Sequence, residues 1–302
     1  MSYSQRIRNN LFALRANVAQ NATVIWQRWN NPGRQSTPVF LVGSGRSGTN
    51  MLASTLAKSW QVELYNEDHP AAFKNWFLRD FSVIESLTER SYAHVVLFKP
   101  LKDTYRTHVL LNKFSIARVL FIFRHYNDVI NSARKRFYDE RGRVKKSVFN
   151  DNRAPVLRWI DTDFAEFSDA PPPKDTEQLI RFFWTPSLNL ESNIALDWLF
   201  TNRLYFDLGL FEDKRVKLVS YEAVVEKPEE TFRSLCHFLD LPFKPKITGD
   251  VFSSSVKRDP APEIDPQIRA ACETLWQRLQ QHLHVCLQAN SDDNHTRHPS
   301  SA

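Results

Sequence analysis

Residues Pro38–Leu56, PVFLVGSGRSGTNMLASTL, constrain this chain more than any other stretch. An apolar run enters a Gly-rich turn and continues into helix-forming residues. The order predicts a buried strand, a tight loop and a helix N-terminus. Backbone N–H groups and the positive end of the helix dipole then converge where an anion can sit. A nucleoside-triphosphate loop reads G-x-x-x-x-G-K-[ST], with the Lys on the β- and γ-phosphates and the hydroxyl on Mg²⁺. Gly43 and Gly48 have that spacing, but Thr49 and Asn50 stand where the Lys and the hydroxyl residue belong. The cation has moved inside the loop, to Arg46. Such a loop suits a 5′-phosphate and lacks the usual equipment for a triphosphate with its metal.

About seventy residues further on lies Arg118–Phe137, RVLFIFRHYNDVINSARKRF. VLFIF reads as a short, fully apolar strand with Arg124 at its carboxyl end, and Ser132 falls eight residues later, about two turns into the helix that follows. A strand-end Arg and such a Ser can converge on one anion. Gly43–Thr49 resembles the 5′-phosphosulfate loop of sulfotransferases that use 3′-phosphoadenosine 5′-phosphosulfate (PAPS). Arg124 and Ser132 resemble that family's 3′-phosphate site. The two motifs in this order are more specific than either alone. The resemblance spans roughly Val39–Lys257 and takes in the late strand–helix unit Val216–Phe243. It points to a bacterial, carbohydrate-type or tyrosylprotein-like branch.

The resemblance implies roles for particular residues. Ser44, Gly45, Arg46, Ser47, Gly48, Thr49 and Asn50 would hold the 5′-phosphate and sulfate, with Arg46 neutralising charge on the bridging oxygen. Asn50 departs from the usual second hydroxyl residue but still offers a hydrogen bond. Tyr126 stands where many relatives have Pro, which alters the helix start and not the ligands. Transfer to a hydroxyl needs a base. Relatives use a Glu after the second strand or a His after the third. Glu67, in Tyr65-Asn66-Glu67-Asp68-His69-Pro70, best matches the first type, with Asp68 and His69 as neighbours able to substitute. Phe98-Lys99-Pro100-Leu101 resembles the family's Lys-x-His segment but has Leu101 in place of the His, which leaves Lys99 as a cation for the sulfuryl group. Lys257 and Arg258 match a late basic loop over the 3′-phosphate. The bland alternatives are a helix cap at 67–69, a strand-end surface Lys99 and a solvated charge run at 257–258.

Composition narrows the rest. A 302-residue chain with 42% hydrophobic residues can bury a large core. No apolar run reaches the ~18 residues of a membrane span, and the basic N-terminus has no continuous apolar stretch of a secretory signal. A helix packed on the domain is the favoured reading there, ahead of a transit-peptide-like start or contact with a membrane surface. Net charge of +6 suits a polyanionic ligand and by itself selects no partner. No nucleic-acid motif accompanies it. The three cysteines lack CxxC spacing and read as free thiols of a reducing compartment. His282 and His284 would not share a helix face, so no metal site is read there.

The expected fold is α/β: a three-layer, P-loop-like arrangement with a parallel sheet of about five strands flanked by helices, plus a helical insertion at about 138–212. Residues 1–37 read as a basic lead, 38–288 as one domain and 289–302 as a disordered polar tail. Strands are expected at Val39–Val42, Gln61–Tyr65, His94–Lys99, Arg118–Arg124 and Val216–Ser220. Pro70–Glu89 is expected to be helical, and a final helix to run over Pro266–Leu287. The function these readings favour is sulfuryl transfer from PAPS to a hydroxyl on a carbohydrate, lipid, small molecule or peptide, in the cytoplasm, with Glu67 as base and no metal called for. Rivals are an ATP–Mg²⁺ kinase and a non-catalytic nucleotide-binding protein of the same fold. Trp76, Phe77, Phe182, Phe183 and Trp184 are equally readable as acceptor platform or core.

Overall fold

The computed structural model describes residues 22–33, 35–138, 157, 160–161, 170–251 and 259–296. Five strands form one parallel sheet: β1 (Thr37–Gly43), β2 (Val62–Tyr65), β5 (Val95–Phe98), β6 (Arg118–Phe123) and β7 (Val216–Ser220), in the order β2-β5-β1-β6-β7. The inner strands β5, β1 and β6 are almost wholly apolar because both faces are covered, whereas the edge strands carry Glu63 and Lys217. Period-2 alternation divides their side chains between two cores. Phe40, Val42, Phe98, Phe121 and Phe123 face one; Val39, Leu41, Leu97, Leu120 and Ile122 face the other.

Helices α2 (Thr49–Leu56), α8 (Tyr221–Glu226) and α9 (Pro228–Phe238) cover the second face. The first is covered by α4 (Thr107–Lys113), α5 (Tyr126–Phe137), α7 (Leu190–Asp207) and α10 (Pro266–Thr296). α7 buries Ile194, Leu196, Trp198, Leu199 and Phe200 all round its circumference, as a core helix does. α6 (Lys174–Phe183) packs beside it. A short helix, α1, covers 22–30. After β1 the chain moves outward to β2; after β6 it moves outward the other way, to β7. The connections diverge between β1 and β6, which opens a crevice at their carboxyl ends.

Two expectations need correction. Residues 70–80 are not helical: β3 (Phe73–Lys74) and β4 (Phe77–Leu78) form an antiparallel hairpin, and helix α3 occupies only Phe81–Arg90. Asn75 and Trp76 make its turn at φ 54° and 72°, the left-handed conformation of a two-residue hairpin loop. At the far end of the chain, α10 continues to Thr296 through residues expected to be disordered. Its first turns are anchored by buried Ile268, Cys272, Leu275 and Leu279, and extending an existing helix costs far less than starting one. Among the described residues no helix is long and apolar enough to cross a membrane.

The hairpin is held from below by Asp103, in the 3₁₀ turn Leu101–Arg106 after β5. Its carboxylate accepts the Leu78 N–H at 2.9 Å and pairs with Arg106 at 2.8 Å, with no exposure to solvent. Burial raises its pKa to about 6 against the pull of Arg106. Asp103→Ala removes the carboxylate from a buried guanidinium and a buried N–H together. We expect a loss of about 3–5 kcal/mol in urea denaturation, whereas a change under about 1 kcal/mol would show that the turn does not depend on this carboxylate.

Candidate active site

The loop after β1 is built on two glycines. Gly43 has φ 127°, and a Cβ there would lie 2.1 Å from the Ile122 carbonyl oxygen of neighbouring β6. Gly48 has φ 89°, and a Cβ there would lie 2.3 Å from the Tyr221 ring. Gly48 caps α2 without a side-chain hydrogen bond, which leaves the first N–H groups of the helix directed into the loop. The Gly43 N–H donates to the Thr104 hydroxyl at 3.2 Å, and that hydroxyl donates to the Leu101 carbonyl at 2.8 Å. The Ser44 and Ser47 hydroxyls lie 2.6 Å apart. Ser47 and Thr49 are buried, and Gly45 faces open space.

Arg46 sits at φ 67°, an unfavourable backbone conformation for a residue with a Cβ. That conformation presents its carbonyl to Arg124 and its side chain to α5. Arg46 Nε donates to Ser132 Oγ at 3.1 Å, and Arg124 Nη1 donates to the Arg46 carbonyl at 3.4 Å. Burial, then the charges of Arg136 and Arg124, hold the Arg46 pKa below its ordinary value. Arg124 is itself buried. It lies 3.5 Å from Asp128 and 4.2 Å from the centre of the Tyr221 ring, and the Trp198 indole N–H donates to its carbonyl at 2.9 Å.

A second cluster adjoins the loop at the β2 and β5 strand ends. Tyr65 lies opposite Phe98, and the Lys99 N–H donates to the Tyr65 carbonyl at 3.1 Å. One residue beyond β5 and two beyond β2, Lys99 and Glu67 come together at 3.2 Å. Lys99 Nζ also donates to Asn50 Oδ1, which ties the pair to the first turn of α2. Asp68 and His69 are exposed, and the His69 Nδ1 accepts the Ala71 N–H at 3.3 Å. Lys257 and Arg258 lie outside the described residues.

A cavity of about 110 Å³ lies over the loop, lined by Gly45 and Arg46 with Val129, Phe137, Asp197 and Trp198. A larger one, about 810 Å³, runs along the outer edge of β7 toward α10 and meets the crevice at His125, Asp128 and Ser220. Among the described residues no cluster of three or more His, Cys, Asp or Glu is placed to hold a metal ion. Sequence reasoning overlooked Thr104, Tyr221, Asp128 and Arg136. Tyr221 carried a readable signal, because it begins the helix at the carboxyl end of a sheet strand. Thr104 and Asp128 carried none apart from their neighbours in space.

The model of the sulfotransferase domain matches residues 36–258. The chain therefore belongs to the sulfotransferase domain family, a family of transferases. Similar solved structures include a sulfotransferase from Alicyclobacillus acidocaldarius, 17% identical, covering 83% of this chain and 96% of that one, with a TM-score of 0.44. A mouse sulfotransferase complexed with PAP is 16% identical, covers 84% of this chain and 88% of its own, and has a TM-score of 0.46. The sulfotransferase domain of the curacin biosynthetic pathway is 14% identical, with 80% and 97% covered and a TM-score of 0.45. No curated protein matches the chain in sequence.

Gly43→Ala sets a Cβ against backbone that has no freedom to retreat, at a φ that side chains avoid. We expect thermal unfolding to show a destabilisation of roughly 3 kcal/mol or more; a variant with unchanged Tm would mean that the loop and β6 are not in this contact.

Proposed function

We propose that the chain transfers the sulfuryl group of PAPS to a hydroxyl acceptor. The observation that carries this reading is the meeting of two anion-binding motifs in one crevice. Arg46 is bonded to Ser132 at 3.1 Å, and Arg124 lies against the Arg46 carbonyl at 3.4 Å. Burial first, then the charges of Arg136 and Arg124, hold the Arg46 pKa below its ordinary value, so three guanidiniums crowd one crevice. A ligand with phosphates at two separate positions relieves that repulsion along the whole crevice. A single terminal phosphate chain with its metal uses only the loop. The donor set, guanidiniums and hydroxyls on both sides with N–H groups between, fits the first kind of ligand.

PAPS supplies the sulfuryl group, carried on its 5′-phosphate. The loop N–H groups with the Ser47 and Thr49 hydroxyls hold that phosphate, and Arg124 with Ser132 holds the 3′-phosphate. Lys257 and Arg258 are assigned to the second phosphate on resemblance alone. Glu67 takes the proton of the acceptor hydroxyl. Before that, its pairing with Lys99 at 3.2 Å orients the carboxylate. A neutral Glu67 no longer competes for the ammonium, so Lys99 is free to join Arg46 in stabilising charge on the departing phosphate. The cation thus becomes available when the reaction needs it. Asn50 keeps Lys99 in place throughout.

Calorimetric titration with adenosine 3′,5′-bisphosphate, beside ATP–Mg²⁺, tests the donor. The wild-type protein should bind the bisphosphate, and Arg124→Ala should bind it at least about 30-fold more weakly. Binding of ATP–Mg²⁺ with none of the bisphosphate would sink the proposal.

The base is tested separately, with an acceptor found by screening phenols, sugars and lipids for sulfate transfer. Glu67→Gln should lower kcat on the order of 10²-fold or more while leaving bisphosphate affinity unchanged. An unchanged kcat would move the base to Asp68 or His69.

A further inference from the structure

Helix α1 is turned the wrong way round for a helix packed on a soluble domain. At about 100° per residue, Thr23, Trp26, Gln27 and Asn30 share one side, and Val24, Ile25, Arg28 and Trp29 share the other. The side that carries Gln27 faces the protein. Gln27 Nε2 donates to the Trp60 carbonyl at 2.6 Å, Asn31 caps the Ala93 carbonyl at 3.5 Å, and the Trp26 ring meets Trp60 edge-on at 4.9 Å. The side richer in apolar residues faces out: Trp29 is 83% exposed, Ile25 57% and Val24 40%, and Trp60, against Trp26, is 53% exposed. An ordinary surface helix buries its apolar stripe. A contiguous exposed patch with a polar rim marks an interaction surface.

The rim is cationic. A cavity of about 520 Å³ beside the patch is lined by Trp26, Asn30, Trp60, Lys58, Lys244 and Lys246, and no carboxylate lines it. Lys58 is engaged with the Ile247 carbonyl and Asp250, both at 2.9 Å. Lys244 and Lys246 are exposed and form no ion pair among the described residues. Arg28, on the outward side between Val24 and Ile25, adds a further positive charge and stacks over Tyr92 at 4.9 Å.

We propose that this corner docks on an anionic lipid bilayer, with Trp29, Ile25 and Val24 entering the interfacial layer and Lys244 and Lys246 meeting lipid phosphates. Tryptophan is suited to that layer, where an apolar ring and a polar N–H are both satisfied. Basic residues near an anionic leaflet each add attraction. A second copy of the chain is the weaker occupant: a two-fold contact would set each basic rim against its own duplicate. The patch adjoins the amino end of β2, whereas the crevice lies at the carboxyl ends of the sheet, roughly 15–20 Å away at about 3.3 Å per residue. Docking and ligand binding are therefore separable, and the proposal stands independently of the reaction assigned to the crevice.

The test is sedimentation of the full-length protein with vesicles of phosphatidylglycerol and phosphatidylcholine, and with vesicles of phosphatidylcholine alone. The protein should pellet only with the anionic vesicles. Two variants, Ile25→Ser with Trp29→Ser and Lys244→Glu with Lys246→Glu, should each weaken partitioning on the order of tenfold or more, with Tm and bisphosphate binding unchanged. The second variant leaves α1 intact and so keeps the test decisive if the first folds poorly. Failure to pellet, equal pelleting with neutral vesicles, or undiminished pelleting of the Ile25/Trp29 variant would each overturn the proposal. So would a dimer that this variant dissolves in the absence of vesicle binding, which would assign the patch to a second copy.

Discussion

The crevice depends on β1 and β6 staying paired to the last residue of β1. Gly43 lies opposite Ile122, so the loop must leave the sheet directly over a backbone carbonyl. The missing side chain at Gly43 makes that exit possible. Because the strands are parallel, the loop after β1 and the turn after β6 emerge side by side. The Arg46 carbonyl consequently meets the Arg124 guanidinium, and the Arg46 side chain reaches Ser132 one and a half turns into α5. Two segments separated by some eighty residues become one site through a single strand pairing.

A buried guanidinium is costly unless its charge and its N–H groups are answered. Arg124 is answered in part by Asp128, the Arg46 carbonyl and the face of Tyr221. Tyr221 also packs on Gly48, so the ring beneath Arg124 is the one that shapes the loop. Set against these partners are two further cations, Arg46 and Arg136; burial, then the charges of Arg136 and Arg124, lower the pKa of Arg46. Of the charged groups named here three are guanidiniums and one is a carboxylate, and they lie beside the loop. This is an environment that favours an anion before any particular ligand is named.

Much of this was legible in the amino-acid order because it rests on local chemistry. The glycine pair 43 and 48, the apolar run before Arg124 and the position of Ser132 are consequences of strand, turn and helix periodicity. The Lys99–Glu67 contact was partly legible, since both follow apolar strands, but their pairing depends on β2 and β5 being neighbours. The hairpin at 73–78 was hidden because its turn uses Asn75-Trp76 where Asn-Gly would have announced it. The aromatic residues around it satisfy a helical reading equally well. The length of α10 was hidden for a different reason: polar composition at 290–296 says nothing of a helix already started upstream.

The turn after β5 joins the two halves of the site. Asp103 and Thr104 are adjacent in the chain and point to different targets. Asp103 grips the Leu78 N–H, and Leu78 pairs with Phe73 across the hairpin that grows out of the Glu67 segment. That hairpin begins where the His69 carbonyl accepts the Phe73 N–H at 3.0 Å, which draws Asp68 and His69 into the turn and leaves Glu67 beside Lys99. Thr104 grips the Gly43 N–H at the base of the loop after β1. One buried turn, immediately following Lys99, thus sets the spacing between the carboxylate side and the loop side. Both of its grips are hydrogen bonds to backbone N–H groups, which tolerate little displacement before they fail. The separation between Glu67 and the loop is accordingly a property of the sheet edge and not of either flexible side chain, which is the rigidity that the proposed transfer would require.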